Sequence, residues 1–584
     1  MWRPRQHKEC ATGLSVGASI SVLFYTSAIM FAGSAAAQST GRVVPPAAAL
    51  ASKPDLSLTG DRLRTPQLAS VAPKAAADAS SSARFRLRAV VLEGGSVLAA
   101  ADLAGTYAPF IGQDVSETDL TTITASISAA YRGAGYHLTR AIVPVQDLAG
   151  GRLRIQIVEG TIEDIVIIGD DADRFGLHRL LAPLVAERPA RRSTLERQLL
   201  LANDRPGIRV TDTTLDEIVP ASGRFRLKVS VQSWTVYGAV GLDNLGSAAV
   251  GPWQGSATAA LNSLLVPGDS LVFSGSSSLG SWRELSFGSL AYDAPIGTDS
   301  FRIGAAATRS DIRPGDARRW LGTRSEADTY EVRAWYAPLV SQSQTLWLGG
   351  ALGISNIEER TYAGRSYEDH LGLLSLSADY KLHISESSWT YLFGTFRQGL
   401  GATDGRSSGT DLSRSGASTR FSLFNVSAAH YQNLTDAWSV KLAAGGQIAS
   451  GPLLITQQYY LGGYSFGRGF EAGWISGDNA IAGSAELRYD IPLGMQYLNA
   501  LQLYGFAEGG ATETYLNSKS LVQKIASIGA GVRFFVTNDL LAGVAIAKPI
   551  ADTATYRRSD GIAVLFSLTN TFHLCPGSQS WRCN

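Results

Sequence analysis

The residue types that could do chemistry are sparse in this 584-residue chain. Its seven histidines are scattered and lack the His-x-x-x-His spacing of a metal site. No glycine is followed by lysine, which excludes the phosphate-binding loop that needs this pair. Ser276–Ser278 has no base beside it, although a serine and a histidine can also meet from distant strands. The sequence predicts a protein that is not an enzyme and that binds no metal, nucleotide or other cofactor.

One arginine stands apart because of its neighbours. Arg468 lies between Gly467 and Gly469 and is followed closely by Phe470, in a loop between two strand-like segments. A guanidinium buried in a packed interior needs a carboxylate, because an unpaired buried charge costs about 3–5 kcal/mol. The two glycines would let the backbone approach a neighbouring wall closely. An exposed arginine in a surface loop is the alternative interpretation.

The chain around Arg468, from residue 232 to residue 574, has the pattern of many short β-strands separated by Gly, Ser and Asp turns. At about 20 residues per strand and loop, this length predicts about 16 strands, and single-chain outer-membrane barrels have even strand numbers. In the last segment, apolar side chains share one face: Ile562, Val564, Phe566, Leu568 and Phe572. The pattern predicts a 16-stranded antiparallel transmembrane β-barrel.

The composition agrees with a barrel that has one apolar and one polar face. Hydrophobic residues make up 45% of the chain, yet only 17% are charged, and the 61 glycines fit many turns. Beyond the N-terminus no run of about 18 apolar residues is present, so membrane-spanning helices are not expected. A soluble all-β protein is the alternative that the strand pattern leaves open.

The N-terminus has the features of a secretory signal peptide, predicted at residues 1–37. Arg3, Arg5 and Lys8 precede an apolar stretch, and small residues precede a cleavage site at Gln38. Together with Glu9 these residues carry a net charge of +2, so cleavage changes the formal charge from +1 to −1. This balance does not indicate a nucleic-acid partner. Residues 38–83 are rich in Ala, Pro and Ser and are predicted to be a linker.

Two small α+β modules are predicted between the linker and the barrel, at residues 84–160 and 161–231. Each has the order strand, helix, helix, strand, strand. In the first module a helix is predicted after Ser116, because four apolar residues recur at spacings of three and four: Leu120, Ile123, Ile127 and Tyr131. The second module repeats the order of elements more than the sequence.

The first module resembles a POTRA domain of outer-membrane protein translocators. Three segments carry the resemblance in the expected order, namely Tyr131–Tyr136, Val143–Gln146 and Val158–Gly160. In the second module, Asn203–Ile208 resembles the turn of a second POTRA domain. The resemblance implies that the transported protein is captured through motifs of the first domain, with the residues Tyr136, Pro144, Gln146, Glu159 and Gly160.

The loop around Arg468 carries a second resemblance. Leu461–Phe470 is similar to the arginine-glycine-aromatic signature of an inward-folded barrel loop in the same superfamily. Within it the chain most resembles the transporters of two-partner secretion, of the hemolysin-activator and hemagglutinin-secretion type. The resemblance implies that Arg468 pairs with an acidic residue in a Phe-x-Asp-Gly motif of the barrel wall. Here the matching residues are Phe506, Glu508 and Gly509, so that glutamate, one methylene longer, replaces aspartate.

This resemblance also implies a function, a location and partners. The barrel would lie in the bacterial outer membrane among its lipids, with the POTRA domains in the periplasm. It would secrete, and in some relatives activate, an unfolded β-helical exoprotein encoded by a partner gene, such as a hemolysin or a filamentous adhesin. Two alternatives stay open: an insertase that assembles other outer-membrane proteins, and a plain porin-like channel.

Two cysteines remain in the C-terminal tail, residues 575–584, after the predicted signal peptide is removed. Cys575 and Cys583 would reach the oxidising periplasm or the cell surface, where nearby cysteines commonly pair. We therefore expect a disulfide between them. Two unpaired thiols in a frayed tail are the alternative, and labelling of the denatured, unreduced protein by a thiol reagent would distinguish the two.

Overall fold

The computed structural model describes residues 84–169, 172–281, 283–297, 300–403, 411–495, 497–516, 519–554 and 561–574. The predicted signal peptide and linker, and the predicted pair of Cys575 and Cys583, lie outside these described residues. None of the helices within the described ranges is long and apolar enough to cross a membrane.

The first module contains two α-helices and five strands. They are β1 (Phe85–Arg86), β2 (Ala89–Glu93), α1 (Ala100–Tyr107), β3 (Asp114–Val115), α2 (Glu117–Gly133), β4 (Arg140–Ile142) and β5 (Arg152–Val158). Strand β5 lies in the middle of a sheet, parallel to β2 and antiparallel to β4. Where one first strand is predicted, the module has two, β1 and β2, because the backbone changes partner from Gln113 at Leu87 to Gly151 at Arg88.

Helix α2 forms where its sequence predicts. The Ser116 hydroxyl accepts the backbone N–H of Asp119, and the Asp119 carboxylate accepts the backbone N–H of Ser116, so that both free donors at the helix start are satisfied. Of its apolar face, Ile123, Ile127 and Tyr131 are completely buried in the core of the module, and Leu120 is partly buried. The core of the first module therefore consists of residues from this module alone.

The second module repeats this arrangement. It consists of β6 (Thr161–Ile168), α3 (Leu177–Ala186), α4 (Arg192–Asn203), β7 (Ile208–Glu217) and β8 (Arg224–Ser233). Its sheet has the order β6-β8-β7, which corresponds to the order β2-β5-β4 of the first module. Unlike the first core, the second core includes two residues of the barrel, Ala337 and Val340.

The second module therefore docks directly on the barrel. The Arg197 guanidinium donates to the carbonyl oxygen of Ala337 at 2.7 Å, and the Arg174 guanidinium donates to that of Ser263 at 3.1 Å. In the opposite direction the backbone N–H of Gln342 donates to the Glu196 carboxylate. These contacts fix the module at one end of the barrel, the end where the chain enters it.

Sixteen antiparallel strands form a closed barrel, as predicted. They are β9 (Val236–Asp243), β10 (Gln254–Asn262), β11 (Ser270–Ser278), β12 (Leu285–Pro295), β13 (Arg302–Ile312), β14 (Arg324–Val340), β15 (Gln344–Thr361), β16 (Gly364–Ser385), β17 (Ser388–Gly401), β18 (Ser422–Asn433), β19 (Trp438–Ala449), β22 (Asn479–Met495), β23 (Leu498–Leu516), β24 (Lys519–Phe535), β25 (Leu540–Asp552) and β26 (Ala563–Leu574). Strand β26 pairs with β9 and closes the ring. Two further strands, β20 (Tyr459–Leu461) and β21 (Ile475–Gly477), pair with each other and are not members of the ring.

The wall of the barrel separates polar from apolar side chains. On β14, Thr329 and Arg333 are each 4% exposed, whereas their neighbours Tyr330 and Val332 are 49% and 66% exposed. Successive side chains of a strand point to opposite faces, so the polar residues line the lumen and the apolar ones face outward. An apolar outer surface and a polar interior are typical of barrels that span the outer membrane.

Candidate functional site

The segment 450–478, called the inward loop here, connects β19 to β22 and contains the β20–β21 pair. Its side chains Leu461, Phe470 and Ile475 form a buried cluster with Ala482 and Ile525 of the barrel wall. The loop therefore folds back into the lumen and packs against the inner face of the wall. The loop has a strand pair of its own and buries several apolar side chains, so it occupies a defined position inside the barrel.

Arg468 lies at the tip of the inward loop and is 4% exposed. Its Nε and Nη2 atoms each lie 2.9 Å from Oε2 of Glu508 on β23. Its Nη1 atom donates to Oε2 of Glu486 on β22 at 3.0 Å. The guanidinium is thus held by carboxylates from two neighbouring strands, and charge-assisted hydrogen bonds of this kind are the strong ones.

Glu508 holds the backbone of the loop as well as the Arg468 side chain. Its Oε1 atom accepts the backbone N–H of Gly467 at 3.0 Å and also the backbone N–H of Arg468. The Ser527 hydroxyl on β24 donates to the same oxygen at 3.1 Å. Both carboxylate oxygens therefore have donors, and one acidic side chain holds both the backbone and the arginine side chain of the loop tip.

Aromatic rings cover the guanidinium. Its central carbon lies 3.4 Å from the ring centre of Phe506 and 5.5 Å from that of Tyr464. A cation over a ring face gains about 0.5–2 kcal/mol, more when water is excluded. Phe506 comes from the wall and Tyr464 from the inward loop, so the arginine joins the two elements through its flat faces as well as through its edge.

The glycines beside Arg468 are required by space. Gly467 has a φ of +116°, which side chains with a Cβ rarely adopt. A Cβ atom at Gly469 would lie 2.9 Å from the Ser527 Cβ and from the Pro549 nitrogen, and one at Gly509 would lie 2.7 Å from the carbonyl oxygen of Ile525. Glycine therefore allows the loop tip to approach the wall closely enough for Arg468 to reach its carboxylates.

Glu486 was not predicted from the sequence as a partner of Arg468. It accepts hydrogen bonds from three arginines: Arg468 at 3.0 Å, Arg488 at 2.8 Å and Arg533 at 2.9 Å. We call these four residues together with Glu508 the lumen cluster. The available signal was the spacing Glu486, Arg488, Asp490, which places three charges on one face of a predicted strand.

The lumen cluster can hold the loop tip on the wall through charge-assisted hydrogen bonds. It contains three guanidinium groups and two carboxylates. Within the described ranges no group of three His, Cys, Asp or Glu residues could hold a metal ion. Arrangements of this kind bind and position a segment of chain.

The five motif residues of the first module all make contacts within the modules. The Gln146 side-chain amide forms two hydrogen bonds of 2.7 Å with the backbone of Arg154. It also donates to the carbonyl oxygen of Pro144. Tyr136 is buried against Tyr131, and a Cβ at Gly160 would collide with Leu138. These contacts support the fold of the module, and a role in capture stays a prediction.

Glu159 joins the last strand of the first module to the loop before α1. It accepts the N–H and the hydroxyl of Ser96 at 2.7 and 2.6 Å, and the N–H of Val97 at 3.1 Å. Tyr131 donates to it at 3.4 Å. Burial raises the pKa of the Tyr131 phenol, and the charge of Glu159 raises it further.

We expect Glu159→Ala to destabilise the first module by about 1.5–3 kcal/mol, because hydrogen bonds to a charged group contribute about this much. The measurement is denaturant unfolding of the soluble POTRA region followed by circular dichroism. Glu93→Ala is the control, since Glu93 is an exposed residue at the end of β2. Equal stability of the two variants would contradict a structural role and would leave capture as the better explanation of this residue.

Two family models match the chain. The POTRA domain of ShlB type matches residues 85–160, and the haemolysin secretion/activation protein ShlB/FhaC/HecB matches residues 224–534, more than half of the chain. The chain belongs to this family. Its barrel is therefore an outer-membrane translocator of two-partner secretion, whose POTRA region lies in the periplasm and which has a secreted exoprotein as its partner.

Individual relatives agree with the family. The chain is 23% identical over 462 residues to the heme/hemopexin transporter protein HuxB of Haemophilus influenzae (strain 86-028NP), covering 77% of this chain and 80% of the relative. It is 25% identical over 447 residues to the outer membrane transporter CdiB of Escherichia coli, covering 73% and 72%.

Solved structures share the fold. The structure of CdiB from Escherichia coli matches with a TM-score of 0.69 at 21% identity, over 86% of this chain and 93% of that one. CdiB from Acinetobacter baumannii matches with a TM-score of 0.61 at 17% identity, over 84% and 91%. The fold prediction, a POTRA region followed by a 16-stranded barrel, is confirmed by these matches and by the closed ring of strands.

Proposed function

We propose that this translocator passes an unfolded β-helical exoprotein through its lumen, and that the contact of Arg468 with Glu508 and Glu486 sets the inward loop in its secretion-competent position. The observation that carries the proposal is the concentration of buried charge at the loop tip. Three cationic side chains and two carboxylates meet within the wall, where each would be costly without its partners. The remainder of the inward loop is held by apolar packing, by its own strand pair and by further polar contacts, such as the hydrogen bond that Trp474 Nε1 donates to Asp552 of the wall.

The direction of transport would be set by folding of the exoprotein outside the cell. Folding of a β-helix outside the cell removes the emerging chain from the unfolded pool, so that return through the barrel becomes unfavourable. The described residues contain no group that suggests another energy source, and the proposal requires none. The cargo must therefore stay unfolded in the periplasm until it reaches the barrel.

Capture would begin at the edges of the POTRA sheets. Strands β2 and β4 are the edges of the first sheet, and β6 and β7 are those of the second. An edge strand offers backbone donors and acceptors to an extended segment, and pockets between its side chains set the preference. Exposed apolar residues lie beside these edges at Val145, Ile168 and Val219 and would add contact area.

Strand addition predicts that the purified full chain binds an unfolded N-terminal fragment of its exoprotein at tens of micromolar or tighter, by fluorescence anisotropy. The matched control is the same fragment with proline at alternate positions, which removes backbone donors but keeps most of the composition. The control should bind much more weakly. Equal binding of the two fragments, or no binding of either, would contradict strand addition.

Secretion in cells tests the function itself. Deletion of the gene should remove one large exoprotein from the medium or the cell surface and should leave the other outer-membrane proteins at normal levels. A general loss of outer-membrane proteins would instead favour an insertase, and loss of solute uptake alone would favour a plain channel.

A further inference from the structure

A second buried ion pair lies at the extracellular end of the barrel, away from the lumen cluster. Arg414 belongs to the described part of the loop between β17 and β18, residues 411–421, called the cover loop here. Its Nη1 atom donates to Oδ1 of Asp478, the last residue of the inward loop, at 2.5 Å. The exposed fractions of the two side chains are 5% and 0%. The pair joins two loops that are far apart in the sequence.

Both partners make further contacts, and these involve the two ends of the inward loop. Arg414 donates to the carbonyl oxygen of Leu453 at 3.0 Å and to that of Tyr515 at the end of β23. Asp478 accepts the backbone N–H of Leu453 and of Tyr515, each at 2.8 Å. One ion pair thus connects the start of the inward loop, its end, the cover loop and the wall.

The cover loop lies inside the mouth of the barrel. Its residues Ala417 and Phe421 share a buried apolar cluster with Leu453 and Leu454 of the inward loop and with four residues of the wall: Leu371, Leu373, Leu423 and Ala449. These wall residues face the lumen, because the alternate residues Leu376, Phe424 and Ile448 are the exposed ones on the same strands. The cover loop and the base of the inward loop therefore pack together against the inner face of the wall at the extracellular end.

We propose that Arg414 and Asp478 form a latch that keeps the extracellular mouth closed. They are positioning residues: they hold the cover loop on the base of the inward loop, whereas the lumen cluster holds its tip. The inference rests on the proposed function, in which the cargo leaves through this mouth. An emerging chain would have to separate the cover loop from the inward loop, and opening of the latch would be the last barrier before the cell surface.

The chemistry of the pair suits a contact that is either fully made or fully broken. Arg414 contacts three oxygen acceptors at once, which a planar guanidinium can do and a lysine ammonium does less well. Loss of one partner leaves the other charged and buried, so the closed state loses more than a single hydrogen bond. Opening to water relieves this by solvating the remaining charge.

The test is the ion conductance of the purified full chain in planar lipid bilayers. We expect Arg414→Gln and Asp478→Asn to raise the open fraction by at least about tenfold, which corresponds to about 1.4 kcal/mol. The matched control is Arg318→Gln. Arg318 is also buried and also paired, but with Asp316 in its own turn between β13 and β14. It should conduct like the unmodified protein.

Arg414→Lys keeps the charge and should give an intermediate open fraction. If Arg414→Gln fails to insert in the membrane, the conductance of Arg414→Lys still tests the latch. An inserted Arg414→Gln or Arg414→Lys barrel with unchanged conductance would overturn the latch, and so would an equal rise in Arg318→Gln. Because no cargo is present, a failure of the latch in this assay is distinguishable from a failure of secretion through the lumen, which is measured in cells.

Discussion

Arg468→Ala should reduce secretion by more than about a hundredfold while the barrel still inserts in the outer membrane. An unpaired buried charge costs about 3–5 kcal/mol, and about 1.4 kcal/mol is a factor of ten, so the loop tip would leave its position in most molecules. The strand ladder of the barrel is independent of this contact and should keep its resistance to unfolding in detergent. The measurements are the exoprotein in the medium and the heat-modifiability of the barrel on gels.

Variants of Glu508 test whether the two residues act as a pair. Glu508→Ala should resemble Arg468→Ala, and the double variant should be no worse than either single variant, because all three remove one shared interaction. Glu508→Asp should retain much of the secretion, since it keeps the charge and the loop needs to move by only about an ångström.

Two outcomes would contradict this assignment. Normal secretion by Arg468→Ala, or fully additive losses in the double variant, would show that the contact of 2.9 Å is not what secretion depends on. Loss of the inserted barrel in either single variant would give Arg468 a structural role instead.

The second large effect is expected at Glu486. Replacing it with glutamine removes a negative charge from beside three guanidinium groups, those of Arg468, Arg488 and Arg533. We expect Glu486→Gln to lower the temperature at which the barrel unfolds as well as secretion, because Arg488 and Arg533 belong to the wall itself. This combination separates Glu486 from Arg468, whose loss should affect secretion alone.

The control for Glu486→Gln is Glu326→Gln. Glu326 pairs with Arg309 and Arg324, but the three side chains are 33%, 60% and 41% exposed, and exposed pairs contribute only about 0–1 kcal/mol. Its variant should unfold at the temperature of the unmodified protein. If Glu486→Gln does the same, the lumen cluster does not stabilise the wall and acts on the loop alone.

The architecture was accessible from the sequence because it depends on periodic patterns. Alternation of polar and apolar side chains predicts the barrel strands, and the spacing of Ile123, Ile127 and Tyr131 predicts helix α2. Both patterns are local, so they can be recognised without knowing which distant residues each element contacts. The split of the first strand at Leu87 was not predicted, because it depends on two backbone acceptors, Gln113 and Gly151, from later in the chain.

The candidate site was only partly accessible for a related reason. The resemblance gave Arg468 and Glu508, but it assigned one acidic partner where the structure has two. Glu486 and Arg533 come from different strands, so their meeting depends on the register of the ring. The contact of Arg414 with Asp478 depends in addition on the paths of two long loops, for which no periodic signal exists.

The docking of the second module on the barrel has a consequence for how this protein can diverge. The barrel atoms that contact Arg197, Arg174 and Glu196 include two carbonyl oxygens and one amide nitrogen of the main chain. Main-chain groups remain when side chains are substituted, except that proline lacks the amide hydrogen. Apart from Ala337 and Val340, whose side chains belong to the core of the second module, residues of the periplasmic turns can therefore change, for example to suit a different exoprotein, while these hydrogen bonds persist. Only three side chains on the module side need to be retained for these contacts to persist.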